Sequence, residues 1–146
     1  MTRQVLGIAL DEARRVIQAA HDKAREIGQP MNIAVVDAGA NLVAFERMDG
    51  AWLGSIDIAL KKARTARFFD LETGDLGKMS KPNGPLYGIE LSNGGLISFP
   101  GGIPLTNGEG EIVGAIGVSG GTVKEDQAVA KDGAEAAADL LEHRAA

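Results

Sequence analysis

The chain of 146 residues contains no cysteine. That removes disulfides, thiolate catalysis, iron–sulfur clusters and thioether-attached haem together. Aromatic residues amount to only 4%, so the core has to be built from Ala, Val, Ile and Leu, and composition gives no sign of a wide pocket walled by rings. No apolar run is long enough to cross a bilayer, and the N-terminus is polar. Neither a membrane span nor a signal peptide is expected, and the expected location is the cytoplasm. Positive charge is scarce as well. Fifteen Lys and Arg stand against twenty Asp and Glu, a net charge of −5. This lacks the basic footprint of phosphate binding, so nucleic acid is not an expected partner.

What is present is an ordinary globular composition, 45% hydrophobic and 24% charged, at a length that fits one domain over residues 1–146. Residues 3–27 carry a helical stripe of Ala13, Val16, Ile17, Ala20, Ala24 and Ile27. Thr2 can cap its start, and Gly28 with Pro30 ends it. Residues 32–36 and 41–48 read as two strands around Asp37-Ala38-Gly39-Ala40. In the second, Val43, Phe45 and Arg47 alternate with Leu42, Ala44 and Glu46. A second helix is predicted over 52–68, capped by Asp49, with Trp52, Ile56, Ala59, Ala63 and Ala66 inward and Asp57–Lys61 as an outer i,i+4 pair. Residues 71–79 suit a short helix before the irregular Lys81-Pro82-Asn83-Gly84-Pro85 loop.

The stretch 101–121 is the most distinctive. Residues 96–99 read as a third strand entering it, and 103–106 and 111–119 as a hairpin turned by Asn107-Gly108-Glu109-Gly110. Gly114 and Gly117 inside a strand signal close approach of a helix, another backbone or a ligand. Ser119-Gly120-Gly121 then leads into a helix with a Thr122…Glu125 capping box. Its inward stripe is Asp126, Val129, Ala130, Gly133, Ala137 and Leu140. Short turns between neighbouring strands require antiparallel pairing, so the expected fold is α+β, a five-stranded antiparallel sheet flanked by helices.

Several residues can carry chemistry. Asp126 faces the core in the first turn of the last helix, where the dipole favours a carboxylate that must still find partners. Lys62 flanks a buried stripe. Asp37, Arg47, Lys62, Ser119 and Asp126 fall at strand ends or helix starts, where one pocket can form. In that pocket Arg47 clamps a substrate carboxylate, and Lys62 or Asp126 moves a proton. The N–H groups of Gly101 and Gly102, or of Ser119, Gly120 and Gly121, stabilise an oxyanion. A simple Lys62–Asp126 ion pair explains the same residues, as an Arg47–Asp49 contact explains that corner. His21 sits on the border of the first helix's apolar stripe, and Tyr87 offers a polar handle after the loop.

Five ordered motifs resemble the GlcG/HbpS family, which includes the C-terminal domain of PduO-type proteins. They are Ala34-Val35-Val36-Asp37-Ala38-Gly39, Arg47-Met48-Asp49-Gly50, Asp57…Lys62-Ala63, Gly101-Gly102-Ile103-Pro104, and Gly114-Ala115-Ile116-Gly117-Val118-Ser119-Gly120. The resemblance covers residues 10–140. It implies a profilin-like three-layer α-β-α fold, homo-oligomers built from dimers up to octamers, and haem or tetrapyrrole binding by some members. No iron ligand transfers with it. Within this sequence His21 is chemically the best axial candidate, ahead of Tyr87, Met48 and Met79, with Lys62, Arg64 or Arg67 available to the propionates. The alternative function is an enzyme acting on a small carboxylate or carbonyl metabolite, of isomerase, hydratase or lyase type.

Overall fold

The structure is a computed structural model and describes residues 7–142. The expected cap at Thr2, the helix start at residue 3 and His143 lie outside the described residues. Helix α1, Leu10–Ile27, buries Ala13, Val16, Ile17, Ala20 and Ala24 along one stripe. It stops at Gly28, whose φ of 82° is the left-handed cap that glycine adopts without a Cβ clash.

Strands β1, Asn32–Asp37, and β2, Leu42–Arg47, form an antiparallel hairpin. Asp37 Oδ1 holds its turn, accepting from the N–H groups of Gly39 and Asn41 at 2.9 Å each. A bulge moves the register from Val35 opposite Ala44 to Val36 opposite Leu42. The extra residue, Val43, breaks the simple alternation, so Leu42 joins Phe45 on one face instead of joining Ala44 and Glu46 on the other.

Helix α2, Gly54–Phe69, starts later than expected. Its N-cap is Leu53 with no side-chain cap, so Asp49 does not serve, and Trp52 precedes the helix and is 64% exposed. A tight turn in which Ala51 N donates to Met48 O carries the chain into the helix with Ala51, not Trp52, buried. Ala59, Ala63 and Ala66 pack inward, Ile56 stays exposed, and Lys61 meets Asp57 at 3.1 Å. Helix α3 is Thr73–Ser80, followed by an irregular segment containing one 3-10 turn at Ile89–Leu91.

Strands β3, Gly102–Thr106, and β4, Ile112–Ser119, complete a sheet of order β2-β1-β4-β3, antiparallel throughout. The described sheet therefore has four strands, not five. Residues 96–99 do not join the ladder, and their backbone groups are satisfied elsewhere. Leu96 N donates to Glu90 O at 2.9 Å and Ile97 N to Thr65 Oγ1 at 3.2 Å, while Phe99 O accepts from Thr73 Oγ1 at 2.7 Å. Pro100, next in line, has no N–H to offer.

Helix α4, Val123–Leu141, opens with the expected capping box, Glu125 N donating to Thr122 Oγ1 at 3.1 Å and Thr122 N to Glu125 Oε1 at 2.9 Å. Helices α1 and α4 cover one face of the sheet, over Ile33, Val35, Ile116 and Val118. Helix α2 covers the other, over Ala34, Val36 and Ala115. Small residues on that second face let α2 come very close. A Cβ on Gly117 would overlap the Ala59 carbonyl and lie 2.5 Å from Ala63 N, so the glycine answers to a helix rather than a ligand.

Candidate functional site

Among the described residues, two pairs of ionisable side chains connect distant parts of the chain: one joins the helices of the two faces past the end of the sheet, and the other lies on the face covered by α1. The first is Lys62 with Asp126. Lys62 leaves α2, passes the end of β4 and meets the first turn of α4, Nζ to Oδ2 at 2.9 Å. The two side chains are 0% and 3% exposed. Nζ also donates to Val118 O at 2.8 Å and stands 4.9 Å from the centre of the Phe99 ring. Asp126 Oδ1 accepts from Gly121 N at 2.9 Å. Burial dominates the electrostatics. It pushes the Lys62 ammonium below the usual lysine value and the Asp126 carboxyl above the usual carboxylate value, each opposed by the other's charge.

The glycine corner exists to make room for this lysine. Gly101 has φ 126°, and a Cβ there would lie 2.6 Å from both Lys62 Nζ and Val118 O. Its N–H donates to Gln127 Oε1 at 3.1 Å, and Gly102 N donates to Thr73 Oγ1 at 2.9 Å. Gln127 is held in turn by Glu72, at 2.8 Å. So Lys62, Asp126, Gly101, Gly102, Gly120 and Gly121 do converge, but on one another: the N–H groups of Gly101, Gly102, Gly120 and Gly121, expected to receive an oxyanion, already have protein acceptors. The adjoining cleft, about 370 Å³ between α3 and the start of α4, is lined by Glu72, Lys78, Pro100, Lys124 and Gln127 among others, and by neither member of the pair.

The remaining candidates disperse. Arg47 is exposed at the end of β2, and Ser119 is buried opposite Asn32. Asp37 lines a separate cleft with Arg67, which donates to Ala38 O at 2.7 Å and pairs with Asp70. Tyr87 is 70% exposed in the irregular segment. The Met48 sulfur accepts from Met31 N at 3.4 Å and packs on the core.

The second pair is His21 with Glu46, Nδ1 to Oε2 at 2.7 Å, the side chains 25% and 32% exposed. Glu46 lines a groove of about 510 Å³ between α1 and β2, and His21 follows Ile17 and Gln18 of its α1 wall by one helical turn without itself lining it. The groove is lined by Leu10, Arg14, Ile17 and Gln18 from α1 and by Val43, Ala44, Phe45 and Glu46 from β2. Residues 10, 14, 17, 18 and 21 share one helix face, because steps of three and four return to the same side. When Nδ1 donates to the carboxylate, Nε2 keeps its lone pair and can bind a metal. Lys62, Arg64 and Arg67 belong to α2 on the far side of the sheet and cannot serve a ligand held here; Arg14 is the cation at hand. Sequence reasoning singled out His21 but missed Arg14, Glu46 and the groove. The available signal was Glu46 sharing a strand face with Ala44.

The mixed fold, with its four-stranded antiparallel sheet between helices, is that of a crystal structure of the Klebsiella pneumoniae protein ORFY. The likeness has a TM-score of 0.90 at 36% identity and covers 93% of this chain and 94% of that one. The family described as "Haem degrading protein HbpS-like" matches residues 8–135, and the chain belongs to it. A relative from Citrobacter freundii, the uncharacterized 15.0 kDa protein in the dhaT–dhaS intergenic region, is 39% identical over 131 residues, 89% of this chain and 92% of its own length. The crystal structure of a PduOC–haem complex aligns with a TM-score of 0.85 at 30% identity, covering 90% of this chain and 95% of the other.

Proposed function

We propose that this protein binds haem, or a closely related tetrapyrrole, in the groove between α1 and β2, with His21 as the axial ligand. The observation that carries the reading is the His21–Glu46 contact at 2.7 Å, Glu46 lining a groove that is part apolar and part polar. A histidine that ligates a metal through one nitrogen usually donates the other to a carboxylate or carbonyl, which fixes tautomer and ring direction. Leu10, Ile17, Val43, Ala44 and Phe45 supply apolar wall, and Arg14 supplies a cation for a propionate. The donor set therefore fits the group, and when bound the iron centre would supply ligand-binding and redox chemistry. Family membership and the PduOC–haem complex support the same reading.

The finer features belong to this proposal too: a profilin-like three-layer arrangement, dimer-based homo-oligomers up to an octamer, and residence in the cytoplasm. No described helix is long and apolar enough to cross a membrane. The test is a haem titration followed at the Soret band, wild type beside His21→Ala. A saturable band that weakens in the variant is expected; no saturable change at micromolar protein sinks the reading.

A further inference from the structure

At one end of the sheet a polar row runs beneath the start of α2. Register places Asn32 between Arg47 on β2 and Ser119 on β4, and all three share the α2 face with Ala34 and Gly117. Ser55 reaches the row from the helix. It precedes Ala59 by one turn, and Ala59 packs on Gly117, two residues before Ser119. Asn32 is 0% exposed, and Ser55 and Ser119 are 4% each.

Burial of this kind is normally matched by hydrogen bonds, and here it is not. Asn32 Nδ2 donates to Trp52 O at 3.0 Å, in the turn that leads into α2. Reversing the amide would set two oxygens against each other, so Asn32 Oδ1 is left buried without a partner. The hydroxyls of Ser55 and Ser119 also have no hydrogen-bond partner among the described residues. Arg47 is exposed and has no ion pair among the described residues, Asp49 included. Helix α2 begins without a side-chain cap, and its first acid, Asp57, is held by Lys61 at 3.1 Å. The positive end of its dipole is therefore uncompensated at the same corner. Beside it Gly54 leaves open space, since a Cβ there would meet nothing within 4 Å.

We propose that this corner is a binding site for a small hydroxycarboxylate. A carboxylate suits the Arg47 guanidinium and the α2 N-terminus, both of which favour an anion. It cannot satisfy Asn32 Oδ1, because both are acceptors. A hydroxyl on the adjoining carbon can: it donates to Asn32 Oδ1 and accepts from Ser119 or Ser55. Neither an acid nor an alcohol alone meets all four side chains. The site lies across the sheet from His21 and Glu46 and is independent of the haem reading. Lys62 and Asp126 keep their own partners beyond Val118, so binding here is assigned no contact with them.

Calorimetric titration of the intact chain with racemic lactate, propionate and lactamide tests the site. Propionate lacks the hydroxyl and lactamide lacks the charge. Saturable binding of lactate is expected, with each analogue weaker by about tenfold or more. Arg47→Leu, at an exposed position, is expected to weaken lactate by a similar factor. Ser119→Ala is expected to weaken it too while melting no lower than the wild type, because it deletes a buried hydroxyl that no protein group pairs with. No saturable heat with lactate up to about 10 mM overturns the site. Propionate binding as tightly as lactate overturns the Asn32 contact. Lactamide doing so, or an Arg47→Leu variant with wild-type affinity, overturns the carboxylate clamp. A Ser119→Ala variant that melts lower and binds lactate unchanged makes that hydroxyl structural and overturns its part in the site.

Discussion

Lys62–Asp126 and His21–Glu46 are both acid–base pairs that join a helix to a distant element, yet they are built for opposite ends. The first is fully enclosed, with the ammonium bonded to Val118 O and the Asp126 carboxylate and the carboxylate bonded to the Gly121 N–H. It ties α2 on one face of the sheet to α4 on the other. A buried pair of this kind gains little over an apolar contact, since desolvation cancels most of the attraction. Its value lies in the penalty for losing one partner, which fixes where α2 and α4 stand. The second pair is a quarter to a third exposed, and its histidine Nε2 has no hydrogen-bond partner among the described residues. Chemistry needs an unsatisfied atom; architecture needs none left over.

The largest expected effect comes from breaking the enclosed pair. Lys62→Met should destabilise the fold by about 3–5 kcal/mol, because it strands a buried carboxylate. Lys62→Met with Asp126→Asn should recover most of that, since Asn still accepts the Gly121 N–H while carrying no charge. The single variant also has a signed pH dependence. Burial already raises the Asp126 carboxyl, and without Lys62 it rises further. A folded value above the unfolded one of about 4 favours the folded state in acid, and the advantage is lost as pH climbs through the folded value. Thermal melts of the single variant should therefore be highest at low pH.

At the open pair, His21→Ala should leave the melting temperature close to wild type and cut haem affinity about a hundredfold, or about 2.8 kcal/mol. Glu46→Gln keeps the shape but removes the carboxylate that orients the ring, and should cost about tenfold in haem affinity. If instead Lys62→Met abolished haem binding in a folded protein while His21→Ala did not, the roles of the two pairs would be reversed. The smallest effect is expected at Thr122→Ala, about 1 kcal/mol by chemical denaturation, from loosening the turn that presents Asp126.

Much of the fold was legible because period and punctuation agree. The α1 stripe, the Gly28 stop, the β3–β4 hairpin and the Thr122–Glu125 box all follow from local spacing. The misplaced pieces share a cause. Residues 96–99 have strand-like side chains, but their N–H and C=O groups are taken by Glu90, Thr65 and Thr73. Trp52 fits the α2 stripe by spacing, yet the Met48–Ala51 turn starts the helix after it. The candidate residues do not all come together in the fold. Asp126 and Lys62 do meet, whereas Arg47 stands at the end of β2, Tyr87 in the irregular segment and Asp37 in a separate cleft with Arg67.

The sequence by itself determined the helices and the four strands of the sheet, the absence of thiol chemistry and the glycine-rich stretch 101–121, since these depend on composition and on neighbours a few residues apart. Only the tertiary structure decided what those glycines are for. Gly117 admits the backbone of α2, and Gly101 yields its Cβ space to the Lys62 ammonium. It alone also brought His21 to Glu46, 25 residues away, across a groove that neither helix nor strand contains alone. Helical and strand periods state which side of an element is apolar. They do not state which other element that side will meet, because that depends on packing between segments with no local rule connecting them.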